Sequence, residues 1–158
     1  AQRLSGIPHL RRLRMHTRLP IVLPERVDEA LLGWLSRSRL KAVMVIHANH
    51  ANEIDTTVAT ALSHLTQAGV VLLNQSVLLR GVNDNVRALA ELGGRLFEAG
   101  VTPYYLHLLD KVQGASHFDV NPAQAQQLMQ DLRNCLPGYL VPRLVHERAG
   151  APSKLPGY

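Results

Sequence analysis

Two histidines and a glutamate follow a predicted buried strand at regular spacing. The strand is the apolar run from Lys41 to Ile46, and His47, His50 and Glu53 come directly after it. Imidazole and carboxylate groups bind zinc or iron, so one hypothesis is a metal-dependent lyase or hydrolase of the α/β-barrel type that uses these three side chains. The alternative is a polar loop that is held by its own hydrogen bonds or that orients a ligand.

Three polar side chains interrupt a second apolar run. The run from Val70 to Leu73 is typical of a strand that is buried on both faces, and Asn74, Gln75 and Ser76 follow it directly. Buried strands seldom accept amide and hydroxyl groups unless those groups find hydrogen-bond partners. We therefore expect these three residues either to hold the fold together or to hold a ligand.

Further candidates lie nearer the carboxyl end of the chain. His107 is flanked by leucines within a predicted strand, which favours a buried histidine with satisfied hydrogen bonds. Asp110 begins the polar loop that follows this strand. Lys154 stands among glycine, proline and serine, a setting typical of solvated lysines, so only its neighbours in space could give it a catalytic role.

Hydrophobic periodicity predicts strands that alternate with helices. The predicted strands cover residues 13–18, 41–46, 70–73, 101–109 and 140–145. The predicted helices run from 27 to 37, from Asp55 to Gly69, from Asn83-Asp84 to Gly100 and from Asn121-Pro122 to Gly138, with Phe97 and Cys135 on their apolar faces.

This order of elements predicts the α/β class, with right-handed βαβ units and a parallel sheet. Four or five strands are too few for a closed barrel. We therefore expect a partial (βα) barrel with its helices outside, formed by residues 1–145 and followed by an irregular tail, residues 146–158. The polar groups at His47, Asn74 and Asp110 then lie at the carboxyl ends of the strands, the edge where such folds bind their ligands.

The composition is that of a globular protein. Apolar residues make up 46% of the chain and charged residues 18%, and no apolar stretch is long enough to span a bilayer. The single cysteine, Cys135, excludes an internal disulfide and fits the reducing cytoplasm. No apolar segment typical of a signal peptide follows Ala1, and the sequence begins without methionine, so we expect a piece of a longer cytoplasmic protein.

A basic cluster near the amino end contributes to the net charge of +5. Its members are Arg11, Arg12, Arg14 and Arg18. We interpret it as a solvated or subunit-contacting face, compatible with a homo-oligomer and with no direct contact to nucleic acid, because aromatic residues, at 4%, are too few for base stacking. The non-enzymatic alternative is a basic module that binds RNA or an acidic protein.

Several separated motifs together resemble one family. They are Asn74 to Asp84, His47-x-Asn49-His50-x-Asn52-Glu53, Pro103-Tyr104-Tyr105 with Asp110, Gly114-x-x-His117-Phe118, and Gly150-x-x-x-Lys154. In this order and at this spacing they resemble the lysine 2,3-aminomutases, which are radical S-adenosylmethionine enzymes that also use pyridoxal phosphate. The resemblance runs from Leu10 to Lys154, and it implies the carboxy-terminal half of a radical S-adenosylmethionine barrel.

Three segments resemble one branch of this family in particular, the branch that makes (R)-β-lysine for the modification of translation elongation factor P. They are His16 to Val22, Leu106 to Gly114, and Pro152-Ser153-Lys154. The resemblance implies that the substrate is L-lysine and that the cofactors are S-adenosylmethionine, pyridoxal phosphate and a [4Fe–4S] cluster.

The resemblance also implies roles for single residues. Lys154 matches the lysine that forms a Schiff base with pyridoxal phosphate when no substrate is bound. Asp110 matches a carboxylate that holds the distal ammonium of the substrate, and Glu147 stands where the family usually has a second aspartate. His47 and Gln75 match positions that contact S-adenosylmethionine.

One requirement of the family is missing from the sequence. The [4Fe–4S] cluster is held by three thiolates of a Cys-x-x-x-Cys-x-x-Cys motif, and a chain with a single cysteine cannot supply them. We therefore expect no metal site within these residues and no activity from them alone.

Overall fold

Six strands form one sheet in the part of the chain that the computed structural model describes, namely residues 2–110, 114–147, 150–151 and 153–157. The sheet order follows the chain: β1 Arg12–His16, β2 Lys41–Ile46, β3 Val71–Val77, β4 Val101–His107, β5 Arg143–His146 and β6 Leu155–Pro156. The first five strands are parallel, and β6 is antiparallel to β5. The sheet is curled into a half-barrel, as the alternation of strands and helices predicts.

Six α-helices accompany the strands among the same residues. They are α1 Gln2–Ser5, α2 Leu19–Val22, α3 Glu29–Arg37, α4 Thr56–Gln67, α5 Val86–Glu98 and α6 Pro122–Cys135. Short 3₁₀ turns cover Pro24–Arg26, Ala51–Glu53, Ser116–Phe118 and Gly138–Leu140.

Local sequence signals explain where two of these helices begin or end. The Asp55 carboxylate accepts a hydrogen bond from the Val58 amide at 2.8 Å and caps α4. Gly69 follows α4 with a φ of 80° and Gly100 follows α5 with a φ of 78°, conformations that glycine adopts without steric cost. These predicted boundaries are confirmed.

The hydrophobic core lies between the sheet and the long helices, in two clusters. The first joins β2 and β3 to α4 and α5 through Ile46, Leu62, Leu65, Leu72 and Leu96. The second joins β4 and β5 to α6 through Leu106, Met129, Leu132 and Leu144. Burial of each of these side chains contributes about 2 kcal/mol, so apolar packing against one face of the sheet stabilises the half-barrel.

The opposite face of the sheet, which we call the concave face, is more open. Arg14, Val43 and Val71 are register neighbours on β1, β2 and β3, so their side chains share a face. Arg14 is exposed, and Val71 is 41% exposed. This face is therefore open to solvent at Arg14 and Val71.

Three predicted details are wrong. Asn83-Asp84 was expected to cap the third long helix, but the cap of α5 is Asn85, whose side chain accepts from the Ala88 amide at 2.9 Å. Phe97 and Cys135 were expected in the core, and both are exposed. Each lies at the edge of the apolar stripe of its helix. Hydrophobic periodicity does not tell whether a residue at that edge is buried or exposed.

The ends of several elements also differ from the predictions. The polar residues at 74–76 lie within β3, which continues to Val77. The tail is not wholly irregular, because β6 pairs with β5 and the Gly157 amide donates to the Leu144 carbonyl at 3.0 Å. The helix α6 ends at Cys135, before the predicted stop at Gly138, which begins a 3₁₀ turn. The division into residues 1–145 and 146–158 remains a prediction.

No helix in the described part of the chain has the combined length and apolar character that a membrane crossing requires.

Candidate functional site

The polar residues of β3 that face the helices hold the fold together. Asn74 is 1% exposed, accepts from the Ala48 amide at 2.9 Å and donates to the Ala48 carbonyl at 3.0 Å. Ser76 donates to the same carbonyl at 2.8 Å and accepts from Asn74. Together they tie the segment after β2 to β3, the structural alternative that the sequence left open for Asn74 and Ser76.

A second buried amide joins the loops that follow β2 and β3. The Asn83 side chain donates to the Asn49 and Val77 carbonyls and accepts from the Leu79 amide, at 2.7–2.9 Å. Asn83 is fully buried, so these three bonds satisfy the hydrogen-bonding groups of its side chain in a place that water does not reach. These bonds thus tie the segment after β3 to the segment after β2.

The histidine–glutamate motif is also engaged in local structure. Glu53 accepts from the Asn49 and His50 amides, and the His50 ring accepts from the Asn52 amide at 3.2 Å, which forms a capping box. The second Glu53 oxygen pairs with Arg18 at 2.6 Å. His50 and Glu53 are therefore occupied by protein groups, and no cluster of three or more potential ligands occurs among the described residues. This geometry does not support the metal-site hypothesis for these residues.

Two buried polar atoms remain without partners among the described residues. They are Nε2 of His47 and Oε1 of Gln75. Ile46 pairs with Asn74 across β2 and β3, so His47 and Gln75 each follow one residue after that pair. Because side chains alternate along a strand, Gln75 points away from the helices that Asn74 and Ser76 face. An unsatisfied buried polar atom costs free energy, which favours a ligand as its partner.

Lys154 contacts His107, on β4, and Glu147, which directly follows β5. Its Nζ lies 3.1 Å from Nε2 of His107 and donates to Oε1 of Glu147. His107 is 5% exposed, and its Nδ1 lies 4.0 Å from the same Glu147 oxygen. The Gly157–Leu144 hydrogen bond holds the tail three residues further on. Lys154 is therefore not a solvated lysine, in contrast to what its flanking residues alone suggest.

The surroundings of three histidines, His107, His47 and His16, favour their uncharged form at neutral pH. Burial, followed by the positive charge of Lys154, lowers the pKa of His107 from 6.5 to about 4. Burial is also the main cause that lowers the pKa values of His47 and His16, whose rings meet edge to face. The hydrogen bond from Lys154 lowers the pKa of Glu147, which stays a carboxylate at neutral pH.

Aromatic and basic groups extend the cluster along the concave face. Gln75, Tyr105 and Arg143 form one row across β3, β4 and β5. The Tyr105 ring lies 5.5 Å from Nζ of Lys154, and its hydroxyl accepts from Tyr104 at 2.9 Å. Gln75 and Lys154 therefore both lie beside Tyr105.

Asp110 lies at the rim of this neighbourhood. It is exposed, and its negative charge raises the pKa of His107, partly opposing the effect of burial. Residues 111–113 of the predicted Leu106 to Gly114 segment, and Pro152 of the ending motif, lie outside the described residues.

Two arginines of the basic cluster contact other side chains of the chain. Arg18 pairs with Glu53, and the Arg14 guanidinium stands over the Tyr104 ring at 5.9 Å. All four arginines are nevertheless exposed, so the basic-module alternative stays a prediction.

His107 is the residue of the cluster whose part the sequence reasoning missed. The signal was available, because His107 stands two residues after Tyr105 in β4 and therefore on the same face. Its partner, Lys154, lies 47 residues away, and that contact depends on the return of the tail to β5.

Comparison with known proteins finds relatives that match nearly the whole chain. No family model matches the chain. An L-lysine 2,3-aminomutase of Escherichia coli (strain K12) is 56% identical over 97% of this chain and 45% of the relative. Those of Haemophilus influenzae and Clostridium subterminale are 53% and 38% identical over 96% and 98% of this chain, and over 45% and 37% of their own lengths.

A radical SAM methyltransferase from Sphaerobacter thermophilus has a similar structure. The TM-score is 0.52 at 18% identity, over 76% of this chain and 38% of the methyltransferase. This similarity supports the fold alone. The sequence similarity to these L-lysine 2,3-aminomutases extends over nearly the whole chain, and the chain spans less than half the length of these relatives.

Proposed function

We propose that these residues form the ligand-binding part of an L-lysine 2,3-aminomutase that converts L-lysine to (R)-β-lysine. The observation that carries the proposal is the meeting of Lys154 with a carboxylate and a neutral imidazole on the face that also holds the unsatisfied atoms of His47 and Gln75. The names of its relatives supply the reaction class.

His47 and Gln75 fit S-adenosylmethionine. Their Nε2 and Oε1 atoms are buried and lack partners among the described residues, so a polar ligand would gain hydrogen bonds that the folded chain leaves unmade. The lowered pKa of His47 keeps its ring neutral at neutral pH, and a neutral ring does not repel a cationic ligand.

Lys154 fits pyridoxal phosphate. Its Nζ is held between Glu147 and His107 and stands over the Tyr105 ring, which offers an aromatic wall to a planar cofactor. When bound, pyridoxal phosphate would supply a conjugated system that stabilises an unpaired electron, and S-adenosylmethionine would supply the source of the initiating radical.

Glu147 and Asp110 fit the distal ammonium of the substrate. Glu147 already accepts a hydrogen bond from the ammonium group of Lys154, so its position suits a cation at the end of a lysine side chain. Asp110 adds a second negative charge at the same rim. Two carboxylates at a fixed distance from the amino-group chemistry would select lysine by its length.

A [4Fe–4S] cluster does not fit these residues. Cys135 is exposed at the end of α6, and one thiolate cannot hold a cluster. We propose that the cluster-binding cysteines lie outside these 158 residues and that the described part alone does not cleave S-adenosylmethionine.

The cellular role is proposed from the branch that the motifs resemble. The support is the resemblance of His16 to Val22, Leu106 to Gly114 and Pro152-Ser153-Lys154 to the branch that serves elongation factor P. In this role the protein would act in the cytoplasm on free L-lysine. A homo-oligomer remains compatible with the basic face.

Borohydride trapping tests the assignment of Lys154. The chain contains three lysines, Lys41, Lys111 and Lys154, so peptide mapping after incubation with pyridoxal phosphate reports a selectivity within one molecule. Lys41 is an internal reference because it is exposed at the start of β2 and contacts only the Gly69 carbonyl among the described residues. We expect Lys154 to be labelled about tenfold faster than Lys41. Equal labelling would contradict the proposed role.

A further inference from the structure

Beyond its contact with Lys154, His107 has no role of its own in the function proposed above, yet it is the most buried titratable group beside that lysine. Its Nε2 lies 3.1 Å from Nζ of Lys154, and its Nδ1 lies 4.0 Å from Oε1 of Glu147. The same Glu147 oxygen accepts a hydrogen bond from Lys154. The three side chains therefore form a triangle in which each faces the other two.

The charge of Glu147 favours one of the two neutral tautomers of His107. The negative charge of Glu147 lies on the Nδ1 side and favours a proton there. The Nε2 atom of a neutral ring is then a hydrogen-bond acceptor, and Nζ of Lys154 lies 3.1 Å from it. Burial supports this neutral state by lowering the pKa of the ring to about 4.

Charged and titratable groups face this ring from several elements. They are Lys154 from the tail, Glu147 after β5, Asp110 after β4, His47 after β2 and Tyr105 on β4 itself.

Two acceptors on one amine determine where its lone pair points. A lysine that attacks a carbonyl is an uncharged amine with two N–H groups and one lone pair. If one N–H group is directed at His107 and the other at Glu147, the tetrahedral geometry leaves a single direction for the lone pair. That direction lies away from both side chains.

We propose that His107 is a positioning residue that, together with Glu147, aims the lone pair of Lys154 at an incoming aldehyde carbon. This inference rests on the function proposed for Lys154. In the step that it assists, Nζ forms a bond to the aldehyde carbon, and the aldehyde oxygen leaves as water with the two amine protons. The condensation needs no oxidant or reductant.

The test compares His107→Phe, which removes the acceptor atom, with His107→Gln, whose amide oxygen can replace it. His64→Phe, at an exposed position of α4, is the matched control. Each variant is incubated with pyridoxal phosphate or with formaldehyde and trapped with borohydride, and the labelling ratio of Lys154 to Lys41 is measured. Formaldehyde is small enough to approach an amine from any open side.

We expect His107→Phe to lower the ratio for pyridoxal phosphate about tenfold, whereas His107→Gln and His64→Phe preserve it within about threefold. The formaldehyde ratio should change less than about twofold in all variants, because it depends on access and basicity more than on direction. A purely structural role of His107 would not produce this combination of results.

Three results would overturn the inference while leaving the function of Lys154 intact. They are an unchanged pyridoxal phosphate ratio in His107→Phe, an equal loss in His107→Gln, and an equal loss with formaldehyde. Absence of Lys154 selectivity in the unsubstituted chain would overturn both proposals. If His107→Phe does not fold, Glu147→Ala, at an exposed side chain, should lower the pyridoxal phosphate ratio about fivefold, and an unchanged ratio would overturn the inference.

Discussion

Polar side chains on the two faces of the sheet differ in one respect. Asn74 and Ser76, on the helix-facing side of β3, and Asn83, just after it, use their hydrogen-bonding groups within the protein. Gln75, between them in sequence, leaves Oε1 buried and without a partner among the described residues, as does Nε2 of His47. The two-residue period of β3 thus separates Asn74 and Ser76, which hold the fold, from Gln75, whose Oε1 has no partner among the described residues.

This difference has an energetic meaning. A buried polar group that forms its hydrogen bonds stabilises the fold or is neutral, whereas one that does not costs about 1–3 kcal/mol. Folding alone does not favour Gln75 and His47 at these positions. A ligand that supplies the missing hydrogen bonds would explain them.

The largest expected effect follows from removing the satisfied network. Asn83→Leu would leave the Leu79 amide and the Asn49 and Val77 carbonyls without this partner, and we expect the free energy of unfolding in urea to fall by about 4 kcal/mol. Gln75→Leu removes a buried atom that has no described partner, so the free energy of unfolding should stay unchanged or rise by up to about 2 kcal/mol.

Asn134→Leu, at an exposed position of α6, is the control for the asparagine substitution. If Gln75→Leu destabilised the chain as much as Asn83→Leu, the contrast between the two faces would be wrong.

Lowering the pH should destabilise the folded chain through His107, on the concave face. The pKa of His107 is about 4 in the folded chain and 6.5 in its ordinary state, so the unfolded chain binds the proton more readily. The neutral His107 ring makes its full contribution to the free energy of unfolding above pH 6.5. This contribution, about 3 kcal/mol, is lost as the pH falls to 4. The lowered pKa values of His47 and His16 act in the same direction.

Urea unfolding at several pH values measures this loss. His107→Phe should flatten the curve between pH 6.5 and 4 if the variant folds. An equally steep curve in His107→Phe would show that His107 does not cause the pH dependence.

A smaller and more local effect is expected at the tail. An added Cβ at Gly157 would lie 2.5 Å from Cγ of Leu144, so Gly157→Ala should push β6 away from β5. We expect faster amide hydrogen exchange at residues 155–157 and a labelling selectivity of Lys154 lowered about threefold. Gly94→Ala is the control, because nothing lies within 4 Å of a Cβ at that position. Unchanged exchange would mean that the Gly157 contact does not hold the tail.

Much of the fold could be predicted from the sequence because the signals were local. The alternation of apolar runs with helical periodicity indicated the parallel half-barrel, and Asp55 and Gly69 marked the ends of α4. The positions of His47 and Gln75 near strand ends indicated a ligand edge. These features depend on residues within a few positions of one another.

What could not be predicted depends on tertiary contacts. Asn83 and Asn85 are both suitable caps, and only the packing of the loop decides that Asn83 is buried and Asn85 caps α5. Phe97 follows the buried Leu96 in α5, yet it lies outside the buried stripe and meets Tyr139 at the surface. The contact of Lys154 with His107 requires the tail to return to β5, which no local pattern records.

Nuclear magnetic resonance with S-adenosylmethionine at millimolar concentration tests the central claim most directly. We predict that the largest shifts affect the His47 amide and the Gln75 side-chain amide, and that Gln75→Leu weakens binding about tenfold while Gln67→Leu, at an exposed position of α4, does not. Shifts that avoid the concave face, or an unchanged affinity in Gln75→Leu, would contradict the account.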